Sequence, residues 1–149
     1  MKVGSSIPLA LLLTFASPVL ALSDEPIAIG EIVADPDLYH LKLVTFQGTV
    51  RQVKVLAPYV QTSGTTCYGA YTFRLEDDTG AIEIDVLGVC GNPVLKVPDV
   101  IEGDRVIVQA QILAPGHSTP HRGSESSPLS GRDPQSLQAI ANTISRSVQ

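Results

Sequence analysis

The stretch "YTFRLEDDTGAIEIDV", residues 71–86, constrains the fold more than any other part of the chain. Apolar side chains occupy 71, 73 and 75, then 82, 84 and 86, on either side of Asp77-Asp78-Thr79-Gly80. Period-two alternation around a turn signal predicts a half-buried β-hairpin. With the turn centred between Asp78 and Thr79, Leu75 faces Ile82, Phe73 faces Ile84 and Tyr71 faces Val86, so one face is apolar on both strands. The other face pairs Arg74 with Glu83 and Thr72 with Asp85. Asp77 and Asp78 suit the early positions of a type I turn, and Gly80 suits a left-handed position after it. Counted outward, the same register brings Cys67 opposite Cys90, the chain's two cysteines. A glycine bulge would slip the register by one residue and still leave the thiols near each other.

A disulfide at the open end of the hairpin is therefore expected, worth about 3 kcal/mol on the loop-entropy estimate. The functional alternatives are a redox pair or a metal site. Neither cysteine belongs to a C-x-x-C motif, and no histidine lies within a few residues of either.

Before the hairpin, 42–56 reads as one strand with Val44, Phe46 and Val50 on one face. Beyond Gly48 the apolar parity changes to Val53 and Val55, which predicts a bulge or sharp coil at the glycine. Residues 27–39 read as a short, weak lead-in broken by Pro36, and 57–70 as loop. After the hairpin, 91–104 holds two prolines and little regular structure, and 105–113 is a clean strand. Residues 114–134 are polar, rich in Ser, Gly and Pro, and expected to be a flexible loop. At the end, Asp133 as N-cap, Pro134, and then Leu137, Ile140, Ala141 and Ile144 make a local helix signal. The same residues also read, less cleanly, as a strand.

The N-terminus carries Lys2, an apolar run, and small residues Val19 and Ala21 at the −3 and −1 positions of a cleavage site. Residues 1–21 are expected to be a signal peptide, with a retained anchor as the alternative, and 22–149 a single exported domain, periplasmic or secreted. Two cysteines in such a chain favour a disulfide. Ten Lys and Arg against fifteen Asp and Glu give a net charge of −5. That balance points away from general phosphate-backbone and anionic-membrane binding.

A long bent strand "VTFQGTV", the hairpin with its D-x-T-G turn, and "EGDRVIVQAQI" resemble the OB-fold. In particular the chain resembles the small, signal-peptide-bearing bacterial family of periplasmic OB-fold proteins. It is also similar to the nucleic-acid-binding OB domains whose best-known members bind tRNA anticodons. The resemblance covers about residues 42–113. It implies an all-β, five-stranded barrel in which Leu137–Arg146 is the last strand, against the local helix signal. The chain departs from the common plan in lacking a convincing helix between strands three and four.

The resemblance also implies a binding face across strands two and three, flanked by two loops. The residues there are Tyr59 and Tyr68, then Arg74, Glu83 and Asp85, then His117, His121 and Arg122. The plain reading of Arg74 and Glu83 is a surface ion pair. Glu76, Glu83 and Asp85 against Arg74 make that face acidic, so the expectation is a non-catalytic module for a small cationic ligand or an envelope protein partner. Single-stranded nucleic-acid binding is the alternative; it needs exposed stacking rings and a basic groove, whereas Phe46, Tyr71 and Phe73 are assigned to the core. No cofactor and no metal are expected. His117 and His121 have the i, i+4 spacing of a helical metal site, but they sit among prolines in a loop. No nucleophile elbow, zinc helix or phosphate loop supports an enzyme.

Overall fold

The computed structural model describes residues 1, 25–93, 98–117 and 136–147. In chain order the elements are α1 (Ile29–Ala34), a 3-10 turn (Pro36–Tyr39), β1 (Leu43–Val55), β2 (Tyr59–Val60), β3 (Thr66–Tyr68), β4 (Tyr71–Glu76), β5 (Ala81–Val86), β6 (Val89–Cys90), β7 (Arg105–Leu113) and β8 (Gln138–Arg146). Five strands close into a barrel in the order β1-β4-β5-β8-β7, and β2-β3-β6 form a small annexed sheet. This is the all-β OB barrel. Phe46, Tyr71, Phe73, Leu75, Ile84, Val106, Val108 and Ile112 are fully buried in its core.

The hairpin has the expected register throughout, from Tyr71↔Val86 to Glu76↔Ala81. The pairing resumes in the annexed sheet, where Cys67 lies opposite Cys90 and the two are joined in a disulfide. Gly80 differs from expectation: its backbone is not left-handed. Its small size matters instead, because a Cβ there would lie 3.3 Å from the Gly30 backbone.

β1 serves two neighbours. Leu43 to Thr49 pair with β7, and Thr49 to Val55 pair with β4. Gly48 sits where the strand passes from one to the other, and a Cβ would stand 2.6 Å from the Glu76 carbonyl oxygen. The pairing keeps its register there. The break in register falls later, between Arg51 and Lys54, with Gln52 at φ 52°. The expected bulge at Gly48 is thus displaced to Gln52, since the glycine is needed for close approach and the parity change comes from the extra residue.

β8 closes the barrel, as the resemblance implied. It runs parallel to β5 through Ile84↔Ala139 and Asp85↔Ile140, and antiparallel to β7 along its length. Between Ala110↔Ala141 and Gln109↔Thr143 the register shifts, leaving Asn142 as the extra residue. Leu137, Ala141 and Ile144 consequently all pack against the core. Their four-then-three spacing is what imitates a helix. Asp133 and Pro134, which carried the cap signal, lie outside the described residues.

The lead-in at 27–39 is more ordered than its sequence promises. α1 buries Ile29 and Ile32 completely against the barrel core. Its own N-cap, Ala28, offers no side-chain hydrogen bond. The cap comes instead from the hairpin turn. The Ile29 N–H donates to Asp77 Oδ2 and the Gly30 N–H to Thr79 Oγ1, each at 2.8 Å. Asp77 Oδ1 also accepts from the Thr79 N–H, the Thr79 hydroxyl and the Gly80 N–H. Gly30 permits this approach, because a Cβ there would sit 2.7 Å from the Thr79 carbonyl oxygen. Burial alone would raise the Asp77 carboxyl; the hydrogen bonds from Thr79, Ile29 and Gly80 outweigh it and hold the group below the ordinary carboxylate range. Among the described residues between β6 and β7 there is no helix, so α1 is the helix that covers a barrel end. No helix among the described residues is long and apolar enough to cross a membrane. The expected leader, and most of the expected loop at 114–134, lie outside them.

Candidate ligand groove

The outer face of β1, β4 and β5 is organised in rows across the strands. One row is Arg51–Arg74–Glu83, and the next is Lys54–Thr72–Asp85. The extra residue in β1 decides the second row. Up to Val50 the even-numbered side chains point inward, as Val44 and Phe46 do. After Gln52, Val53 packs on the core and Lys54 is exposed on the outside. The bulge is braced from behind: the Gln52 N–H donates to Glu102 Oε2 at 2.7 Å, and the Val50 N–H to the Asp104 carbonyl at 2.8 Å. Beside the bulge a groove of about 440 Å³ opens, lined by Gln52, Lys54, Thr72, Arg74, Ala81 and Glu83 among others.

The face is not acidic, contrary to the sequence expectation. Asp85 is only 2% exposed. Thr72 in the same row is 4% exposed, and the half-buried Ile140 of β8 lies beside Asp85 in register. Arg51 and Lys54 meanwhile join Arg74 on the face. Glu76 takes Arg74 at 2.9 Å and Arg51 at 3.8 Å, so Arg74 has an ion partner on its own strand, while Glu83 stands opposite it in register.

The remaining sequence-derived site residues are dispersed. Tyr59 and Tyr68 lie in the annexed sheet, half-buried, with Tyr59 opposite Cys67 and Tyr68 opposite Val89. They belong to the disulfide end of the barrel, into which β1 leads. His117 is at the α1 end. Its Nε2 stands 3.1 Å from Asp37 Oδ1 and its ring packs 4.5 Å from that of His40, whose Nδ1 accepts the Ala114 N–H at 3.2 Å. His117 is thus occupied with the 3-10 turn and not with the sheet face. His121 and Arg122 lie outside the described residues. Among those described, no three His, Cys, Asp or Glu side chains converge to hold a metal. Sequence reasoning did not single out Arg51 and Lys54: the expected parity of Val53 and Val55 already turns Lys54 outward, and only the true position of the bulge puts Arg51 on that face as well.

No protein-family model matches the chain, and no curated protein matches it in sequence. Among solved structures it is similar to the second OB-fold domain of replication protein A from Methanococcus maripaludis, at 17% identity over 74% of this chain and 91% of that one, with a TM-score of 0.47. It is similar also to a protein assigned as an aspartyl-tRNA synthetase from Leishmania major Friedlin, at 13% identity, 92% of this chain, 22% of that one and a TM-score of 0.47. An OB domain from Thermoplasma acidophilum matches at 14% identity, 70% and 74% coverage and a TM-score of 0.42.

Proposed function

We propose that the chain is an exported, non-catalytic OB-fold binding protein that takes a small polar molecule in the groove between the β1 bulge and the β4–β5 hairpin. One observation carries this reading: a concavity of about 440 Å³ on the face that OB-folds use, with Lys54, Arg74 and Glu83 converging on it. That volume is within the range of small-molecule sites. Export, with residues 1–21 removed, is part of the same reading. The Cys67–Cys90 disulfide supports it, as such bonds persist in oxidising compartments, and so does the sequence resemblance to periplasmic OB-fold proteins.

Single-stranded nucleic acid is the second reading, favoured by the three cations Arg51, Lys54 and Arg74. Among the described residues that line the groove there is no exposed stacking ring: Phe73, the aromatic one, is fully buried in the core. Native mass spectrometry of the protein recovered from its own cells tests the two together. The proposal expects a bound small molecule that is lost when Ala81→Trp fills the groove. A protein that emerges bare, but shifts a labelled oligonucleotide in a salt-dependent way, would replace the first reading with the second.

A further inference from the structure

We propose that the groove selects a small molecule through a single oxyanion group, a carboxylate or a phosphate, held between Lys54 and Arg74 with Arg51 behind. This rests on the groove being the binding site and goes on to name the chemistry it takes.

Arg51 and Arg74 stand directly opposite each other in the β1–β4 register. Like charges in that position are destabilising in a sheet. One carboxylate, Glu76, serves both. Lys54 lies opposite Thr72, diagonal to Arg74 on the same face, within reach of a group touching both side chains. Among the described residues, no carboxylate stands within ion-pair distance of Lys54.

The backbone is strained to produce this arrangement. Gln52 holds φ 52° without being glycine, a conformation that costs about 1–2 kcal/mol. Were Gln52 to follow the regular alternation of β1 instead of bulging, Lys54 would turn into the core. A strained residue whose effect is to deliver a cation to a groove is best explained by what the groove holds. Glu83 limits the size of the charge. It is exposed and directly opposite Arg74, so one carboxylate stands on the β5 side of the groove. One anionic group fits between these limits, and a row of phosphates does not.

The test is an amide chemical-shift titration of the mature protein with inorganic phosphate, with acetate, with chloride at matched ionic strength, and with a ten-nucleotide thymidine oligomer. The expected result is saturable perturbation at residues 51–54 and 72–74 by phosphate or acetate and none by chloride. Lys54→Gln and Arg74→Gln, both at exposed positions, should each weaken binding about tenfold while leaving the rest of the spectrum unchanged. Equal perturbation by chloride, or saturation by the oligomer alone, would overturn the proposal. A cationic molecule found in the groove by native mass spectrometry would also overturn it, and would leave the binding-protein reading standing. No perturbation of the groove by any probe, together with a bare protein in the mass spectrometer, would remove both.

Discussion

At one end of the barrel, α1 drops Ile29 and Ile32 into the core and is tied down by hydrogen bonds converging on Asp77 and Thr79. At the other end, the annexed sheet is tied by the Cys67–Cys90 bond. The first closure joins residues 48 and 49 positions apart, is reversible, and depends on a carboxylate being ionised. The second is covalent and depends on redox conditions. A barrel closed in these two ways should respond to acid at one end and to reductant at the other.

The largest effect is expected at the α1 end. Ile32→Ala leaves a cavity beneath the helix and should cost about 2–5 kcal/mol in urea unfolding. Hydrogen exchange should rise across 27–45 while the annexed sheet stays protected. If both ends lose protection equally, they are one cooperative unit and the contrast fails. Next comes the disulfide: Cys67→Ala with Cys90→Ala should cost about 3 kcal/mol, with lost protection centred on 59–68 and 89–90. Asp77→Asn should cost about 1–2 kcal/mol, because charge-assisted acceptance by Oδ1 and Oδ2 is replaced by that of an amide.

The same residue sharpens the comparison through pH. The Asp77 carboxyl is lowered in the folded chain. Its contribution is therefore complete above the ordinary carboxylate value and is lost as pH falls through the lowered one. Urea midpoints measured in acid, below about pH 4, should fall more steeply for the wild type than for Asp77→Asn. Parallel acid limbs would show that Asp77 does not link α1 to pH. The smallest effect is expected from Gln52→Gly, which relieves the left-handed backbone and should stabilise the protein by up to about 1 kcal/mol.

The contrast between the ends also explains what the sequence reveals. The disulfide end follows from a register counted along one hairpin, and every pair from Leu75↔Ile82 to Cys67↔Cys90 stands where the alternation of apolar residues puts it. The α1 end could not be read locally, because the helix has six residues and its cap is supplied by the distant D-x-T-G turn. Two bulges set the other limits. Asn142 gave a strand the spacing of a helix, and only the need for a fifth strand resolved it. Gln52 was hidden by Gly48, the more obvious place for a break, and with it went the placement of Arg51 on the outer face. The acidic face failed for a tertiary reason, since Asp85 is buried although period-two alternation puts it on the outer row, and its register neighbour Ile140 lies more than fifty residues later.

β5 and β8 touch in register only at Ile84↔Ala139 and Asp85↔Ile140, whereas β7 holds β8 along its whole length. That short seam is where the cylinder should unzip first. A chain deprived of β8 would present two raw edges, β5 and β7, and such edges recruit strands from other molecules. By lying between β5 and β7, β8 covers both of those edges at once.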